Sequence, residues 1–203
     1  MSERTPHIPP TRSASRSLTS AYFDQLYAAS GDPWEFATSR YEAEKYAATL
    51  AALPRPRYAS ALELGCSIGV LTRQLAVHCD RLLAIDISDA ALIQARERCA
   101  DLPHVGFERR DMAAEFPDGR FDLVLVSEVG YYLASGDLER LRDRIAHALA
   151  PHGHLLLVHY TGETNYPLSG DAVHECFRAH TTRWRLVQSK ADTQYRLDLF
   201  EVP

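Results

Sequence analysis

The chain has 203 residues, of which 46% are apolar and 24% charged, values typical of one globular domain with a full hydrophobic core. Its formal net charge of −5 argues against nucleic acid or an anionic membrane as the main partner, because phosphate binding needs a basic surface. No apolar run approaches the length of a membrane span, and the four scattered cysteines favour reduced thiols. We therefore expect a cytoplasmic protein that is a monomer or a weak homodimer.

The N-terminal region divides into two parts. Residues 1–17 are rich in Pro, Ser and Arg and lack apolar periodicity, which predicts a disordered leader before a single domain at 18–203. Residues 18–56 then carry short aromatic helices that end at a pair of prolines. An α/β core is predicted over 57–203.

Continuous apolar runs mark the strands of this core. They are ALEL at 61–64, LLAI at 82–85, LVLV at 123–126 and LLLV at 155–158. Continuous rather than alternating runs are typical of strands buried on both faces of a parallel sheet. Helical patterns alternate with them, and VGFERRDM at 105–112 supplies a further strand. This alternation predicts a doubly wound α/β sheet.

The chain ends in two extended runs, WRLVQSKA and QYRLDLFEV, with no helix between them. A connection as short as the one near Asp192-Thr193 joins only antiparallel strands. We therefore predict a mostly parallel, seven-stranded sheet with an antiparallel last strand.

Polar residues follow each apolar run, where the carboxyl ends of the strands form the ligand-binding edge of an open α/β sheet. These residues are the turn Gly65–Gly69, then Asp86, Asp111, the pair Ser127-Glu128 and the pair His159-Tyr160. Five such positions in succession predict a site at this edge.

The first of these positions is a glycine turn, ELGCSIG, that leads from a strand into a helix and is typical of a nucleotide cradle. The dinucleotide fingerprint fails, because Ser67 and Val70 stand where it needs glycines. Asp86 suits a ribose diol, whereas Glu63 would repel phosphates and suits an ammonium group. A ligand with adenine, ribose and a cationic amino-acid tail is S-adenosylmethionine.

ELGCSIG, together with AIDIS, RRDM and FDLVLVSEVGYYL, resembles the motif series of class I S-adenosylmethionine-dependent methyltransferases, which have a Rossmann-like fold. The resemblance implies that the glycine loop meets the amino-acid end of the cofactor, that Asp86 binds the ribose hydroxyls and that Asp111 contacts the adenine amine. The implied cofactor-binding residues are Trp34, Glu63, Gly65, Cys66, Ser67, Gly69, Asp86, Ile87, Asp111, Met112 and Ser127.

A narrower resemblance covers roughly Leu18 to Val158. YFDQLYAASGDPWEFATSRYEAEKY, SEVGYYL and LAPHGHLLLV are similar to the nodulation protein S group, which N-methylates the free amine of chitin-oligosaccharide precursors. It implies an N-terminal helical lid over the mouth of the sheet, with Trp34 touching the cofactor. Beyond Tyr160 the chain departs from that group, so the acceptor stays open.

The acceptor side is predicted after the fourth strand. Amine methylation needs a neutral nitrogen, so a carboxylate or imidazole that takes or orients the proton is useful, and Glu128 and His159 are the two candidates. We place Tyr131, Tyr132 and Tyr160 in the substrate pocket and expect one of the first two to pack inward.

The small-molecule acceptor is most simply the amine of an amino sugar or a related metabolite. Two alternatives stay open, an oxygen acceptor with His159 as the base and a cofactor-binding protein without catalysis. The stretch PHGH at 151–154 is interpreted as a solvated turn, and we expect no metal site.

Overall fold

The computed structural model describes residues 15–180 and 182–203. Within them one sheet contains β1 (Ala61–Leu64), β2 (Leu82–Asp86), β3 (Val105–Arg109), β4 (Phe121–Ser127), β5 (Leu149–Tyr160), β6 (Arg185–Ala191) and β7 (Tyr195–Glu201). The α-helices of the same residues are α1 (Ser20–Ala29), α2 (Arg40–Ala51), α3 (Val70–Leu75), α4 (Asp89–Arg98), α5 (Ser135–Ala148) and α6 (Gly170–Arg178).

The sheet has the order β3-β2-β1-β4-β5-β7-β6 over the described residues. Its first five strands pair in parallel, and β7 lies antiparallel between β5 and β6. The predicted fold class and the antiparallel last strand are therefore confirmed. Strand order reverses between β1 and β4, which is where ligands bind in folds of this kind.

The central strands are mostly apolar because both faces of the sheet are covered. Leu62 and Leu64 of β1 lie in a cluster with residues of α5 and α6 on one face. Ala61 points to the other face, where it joins residues of α2 and α3. All four residues of β1 are buried, as are six of the seven residues of β4. The continuous apolar runs thus follow from two-sided burial.

The N-terminal helices lie beside the carboxyl edge of the sheet. Phe23 and Tyr27 of α1 pack into the same cluster as Tyr132, and the Leu18 N–H donates to the Tyr132 carbonyl at 2.9 Å. Ser17 Oγ accepts from the Ala134 N–H at 2.8 Å, so the chain is already anchored one residue before the predicted domain start. The rest of the predicted leader, residues 1–14, lies outside the described residues.

The PHGH stretch at 151–154 was interpreted as a solvated turn, but the structure places it in a strand. It lies inside β5, and His154 is buried with its Nδ1 3.1 Å from the Tyr58 hydroxyl. The turn interpretation is wrong for His154, because β5 begins earlier than its apolar run. Among the described residues, the helices are too short or too polar to cross a bilayer.

Candidate active site

A pocket of about 910 Å³, including its open mouth, lies at the carboxyl ends of β1, β2 and β4 and beneath α1 and the segment that follows it. The predicted site residues that line it are Trp34, Glu63, Gly65, Cys66, Ser67, Asp86, Ile87, Asp111, Met112, Ser127, Glu128 and Tyr132. Gly69, Tyr131, His159 and Tyr160 do not line it. The topology thus gathers residues from four separate strand ends into one cavity.

The glycine turn after β1 is tight because it approaches the loop after β4. Gly65 has a φ of +76°, and a Cβ built on it would lie 1.8 Å from Val129 Cγ1. Ser67 also has a positive φ, of 50°, which costs a residue with a Cβ about 1–2 kcal/mol. Its Oγ lies 2.6 Å from the Tyr27 hydroxyl, so a residue of α1 holds the turn.

Gly69 has a different reason to be glycine. It has a φ of +78° at the start of α3, and a Cβ there would lie 2.9 Å from Ala95 Cα on α4. The residue therefore serves the close packing of two helices. Gly69 does not line the cavity, and its place in the cofactor site stays a prediction.

Asp86 at the end of β2 holds the glycine turn through hydrogen bonds to backbone amides. Its Oδ2 accepts from the Ser67 N–H at 2.8 Å, and its Oδ1 accepts from the Ser88 N–H at 2.9 Å. Burial raises the pKa of Asp86, while these amides favour its ionised form. Each oxygen keeps a lone pair, so the carboxylate can accept from a further pair of hydroxyls.

Glu63 is the carboxylate of the pocket with an unused acceptor. It is 1% exposed, and its Oε2 makes no hydrogen bond to any described residue. Burial raises the pKa of Glu63 to about 7, the nearby Thr72 hydroxyl opposes the rise, and the charge of Asp86 adds to it. A buried acceptor without a donor is unfavourable, so this position favours a ligand that brings a cationic donor.

The third of the predicted strand-end positions, Asp111 with Met112, follows β3. Asp111 is exposed, and its Oδ1 accepts from the Ala113 N–H at 2.9 Å. Met112 beside it is buried among apolar side chains. Both line the pocket, with a polar group next to an apolar surface as a heterocycle with an exocyclic amine requires.

Glu128 follows β4 in a left-handed conformation, with a φ of 57°. Its Oε1 accepts from Lys45 Nζ at 2.6 Å, and its Oε2 accepts from the Tyr160 N–H at 3.1 Å and from the Tyr131 hydroxyl. Three donors therefore fix the side chain and leave about one of its four lone-pair sites for a ligand.

Lys45 of α2 is a component of the site that the sequence analysis missed. It is 2% exposed and also donates to Glu42 Oε1 at 2.9 Å, which places one ammonium group between two carboxylates. Burial alone would lower the pKa of Lys45, but Glu128 and Glu42 raise it. The i, i+3 pair Glu42–Lys45 in an aromatic helix was the available signal.

His159 lies behind the pocket wall. It is fully buried, its Nε2 accepts from the Gly130 N–H at 3.1 Å, and its Nδ1 lies 3.3 Å from His174 Nε2. Burial holds the pKa of His159 well below its usual range, with further lowering by His174 and Lys45. Both ring nitrogens are bonded within the protein, so in this structure neither is free to take a proton from an acceptor.

The three tyrosines predicted for the substrate pocket lie in different environments. Tyr131 is the one that packs inward, with its ring stacked on Tyr166 at 5.2 Å between centroids. Tyr132 lines the pocket, whereas Tyr160 contributes its backbone N–H to Glu128. Of the three tyrosines predicted for the substrate pocket, Tyr132 lines the cavity and Tyr131 and Tyr160 do not.

An aromatic wall completes the pocket. Trp34 stacks on Phe36 with centroids 5.5 Å apart and meets Tyr27 edge-on at 5.8 Å. Phe36, Tyr27 and Tyr46 line the cavity but were not predicted, because aromatic residues at helical spacing usually form core. Their position before the first strand was the only signal.

The charges of the lining have one sign. The acidic side chains among the described lining residues are Glu63, Asp86, Asp111 and Glu128, and none of these lining residues is Lys, Arg or His. Within the same described part of the chain, no cluster of His, Cys, Asp and Glu has the arrangement of a metal site. The cavity favours a ligand with positive charge and disfavours phosphate.

Known proteins resemble this chain over the same elements. The family model of nodulation protein S (NodS) matches residues 23–159. The nodulation protein S of Rhizobium tropici is 36% identical over 132 residues, which cover 63% of this chain and 55% of the relative. That of Sinorhizobium fredii is 33% identical over 132 residues, covering 63% of this chain and 60% of the relative. The match thus spans little more than half of these relatives.

Solved structures agree with the sequence comparison. The N-methyltransferase NodS of Bradyrhizobium japonicum in complex with S-adenosylhomocysteine superposes with a TM-score of 0.81 at 25% identity, over 92% of this chain and 100% of that one. A structure from Pseudomonas syringae is 39% identical, with a TM-score of 0.70, over 80% of this chain and 99% of that one. With the matched family model, these findings show that the chain belongs to the nodulation protein S family.

Proposed function

We propose that this chain is an S-adenosylmethionine-dependent N-methyltransferase that acts on a small amine. The unpartnered, buried Oε2 of Glu63 beside the glycine turn is the observation that carries the proposal. A cofactor with an ammonium group would supply the donor that this oxygen lacks. The related NodS of Bradyrhizobium japonicum, which was crystallised with S-adenosylhomocysteine, supports the same cofactor.

Each part of the cofactor has residues that fit it. Glu63 and the turn at Gly65 and Ser67 would hold the amino-acid end, and Asp86 would accept from the ribose hydroxyls. Asp111 and Met112 would meet the adenine. When bound, the cofactor supplies a methyl group on a sulfonium, which an amine nitrogen can attack directly. The chain then needs to orient the amine and exclude water.

Glu128 is the residue that would orient the amine. With three donors already on its oxygens, it has room to accept one N–H from the acceptor and so to direct the nitrogen lone pair. Trp34, Phe36 and Tyr132 would exclude water from the reacting atoms. An oxygen acceptor is less favourable, because a hydroxyl needs a base and His159 has no free nitrogen.

The charges of the cavity support a proposal for the class of acceptor. We propose an amine without an anionic group, such as an amino sugar, since the described lining offers carboxylates and aromatic rings. A phosphoethanolamine N-methyltransferase of wheat is 29% identical over 127 residues, yet a phosphate would meet only acids here.

The proposal is tested by titration and by methyl transfer. S-adenosylhomocysteine should bind and NAD should not, and Asp86→Ala should weaken the former by about 100-fold, because two charge-assisted hydrogen bonds are lost. The exposed Asp118→Ala is the matched control and should bind normally. Radiolabelled methyl transfer to glucosamine but not to phosphoethanolamine is expected. Absence of S-adenosylhomocysteine binding to folded protein would contradict the proposal.

A further inference from the structure

A buried chain of polar groups connects β7 with the loop after β4. Asp198 of β7, His174 of α6 and His159 of β5 are all fully buried. His174 Nδ1 lies 2.7 Å from Asp198 Oδ2, His174 Nε2 lies 3.3 Å from His159 Nδ1, and His159 Nε2 lies 3.1 Å from the Gly130 nitrogen.

The groups at the two ends of this hydrogen-bonded series, the Gly130 amide and the Asp198 carboxylate, determine which imidazole nitrogens carry a proton. The Gly130 N–H can only donate, so His159 Nε2 must be unprotonated. His159 therefore carries its proton on Nδ1 and donates it to His174 Nε2. That nitrogen must in turn be unprotonated, so His174 donates from Nδ1 to Asp198. A proton added to either imidazole would place two donors against each other.

The Asp198 end is anchored by cations. Arg178 donates to both carboxylate oxygens, from Nε at 2.8 Å and from Nη2 at 2.6 Å, and Arg196 Nε lies 3.4 Å away. Burial alone would raise the pKa of Asp198, but the hydrogen bonds from Arg178 and His174 hold it well below its usual range. Asp198 therefore stays an acceptor, which fixes the direction of the hydrogen bonds between Asp198 and Gly130.

The Gly130 end reaches the pocket wall. A Cβ on Gly130 would lie 3.0 Å from His159 Nε2 and 2.6 Å from Val173 Cγ1, so the backbone approaches the imidazole as closely as glycine allows. Gly130 lies between Glu128 and Tyr132, the two residues of this loop that would meet the acceptor and that both line the pocket.

We propose that His174 and Asp198 are positioning residues, which fix the tautomer of His159 that accepts the Gly130 amide and so hold Glu128 and Tyr132 in place for the acceptor. The link to catalysis rests on the proposed methyltransferase function. The direction of the hydrogen bonds stands on the geometry alone, so the two are tested separately.

The hydrogen-bond direction is tested by long-range proton–nitrogen NMR of the full chain with labelled histidine. The expected result is that His159 and His174 each carry a proton on Nδ1 and none on Nε2. In His174→Phe, the His159 signals should shift and hydrogen exchange at the Gly130 amide should accelerate by about tenfold or more. His154→Phe, which removes a buried histidine bonded to Tyr58, is the matched control and should change neither readout. Protonated Nε2 on His159 in the unmodified chain would overturn the proposal even if His174→Phe fails to fold.

The positioning role is tested by kinetics with glucosamine as the acceptor. His174→Phe should lower kcat by about tenfold or more while S-adenosylhomocysteine affinity stays near that of the unmodified chain, because only the acceptor wall moves. His174→Gln, whose Oε1 can accept from His159, should recover most of the loss. Equal loss in both variants, or unchanged kcat in His174→Phe, would overturn the role. No turnover by the unmodified chain would instead count against the proposed function and leave the NMR result standing.

Discussion

The cofactor side and the acceptor side of the pocket are held by different forces. On the cofactor side, Asp86 binds the backbone amides of Ser67 and Ser88, which are close to it in the βαβ unit. On the acceptor side, Glu128 is held by the side chain of Lys45, which lies 83 residues earlier. Backbone amides of one βαβ unit, with one contact from Tyr27 of α1, hold the first region, and a long-range buried ion pair holds the second.

This difference teaches where each region is vulnerable. A turn held by backbone amides tolerates changes in most side chains around it but requires its own φ values. A buried ion cluster tolerates backbone variation but is strongly destabilised when one partner is removed, because an unpaired charge is left inside the protein. The variants below separate the two behaviours.

The largest effect is expected for Lys45→Met. It leaves Glu42 and Glu128 without their shared ammonium group, and the free energy of unfolding should fall by about 3–5 kcal/mol. Denaturant unfolding measures this, and the half-exposed Lys190→Met serves as control with a change within about 0.5 kcal/mol. Adding Glu42→Gln to Lys45→Met should recover part of the loss. Equal stability of Lys45→Met and Lys190→Met would show that the cluster is not what holds the acceptor side.

Glu63 predicts a pH dependence of stability on the cofactor side. Because its pKa rises from 4.5 to about 7, its contribution is complete below pH 4.5 and is lost as the pH rises through 7. The full change corresponds to about 3 kcal/mol. Glu63→Gln lacks this titration, so its stability relative to the unmodified chain should improve between pH 4.5 and pH 8. Denaturant unfolding at the two pH values tests this, and a constant difference between the proteins would contradict it.

The smallest effect is expected for a substitution at the contact between Gly65 on the cofactor side and Val129 on the acceptor side. Gly65→Ala places a Cβ against Val129 and at a positive φ, so it should destabilise the chain by about 2–3 kcal/mol and weaken S-adenosylhomocysteine binding. Adding Val129→Ala should relieve part of the loss. Gly136→Ala in α5 is the control, because its Cβ would meet only the end of Arg140 at 3.6 Å. If Val129→Ala gives no relief, the two sides are not coupled through this contact.

Much of the fold and the cofactor side could be predicted because the relevant signals are local. The run at 61–64 coincides with β1, and the run at 82–85 lies within β2. Ser88 is the N-cap of α4, where its side chain accepts from the Ala91 N–H, and serine is a preferred residue at this position. Strand periodicity, turn chemistry and cap preferences all act over a few residues, so they are visible in the sequence.

The acceptor side could be predicted only as a set of candidates. Glu128 and Tyr132 were found because they follow a strand, but Tyr131 follows the same strand and His159 follows the run at 155–158, and neither lines the cavity. Lys45 was missed, since nothing near it in sequence shows that it meets Glu128. Such contacts depend on how α2 and α6 dock on the sheet.

By itself the sequence determined the α/β class, the family, the antiparallel last strand and the acids at the strand ends, because burial on two faces and tight turns leave a local pattern. Only the tertiary structure decided which groups are free to act. It showed that one carboxylate oxygen of Glu63 has no hydrogen-bond partner among the described residues. It also showed that Glu128 forms an ion pair with Lys45, and that His159 Nε2 accepts from the Gly130 N–H. The physical reason is that the availability of a buried polar group depends on its partners, and those partners come from distant parts of the chain.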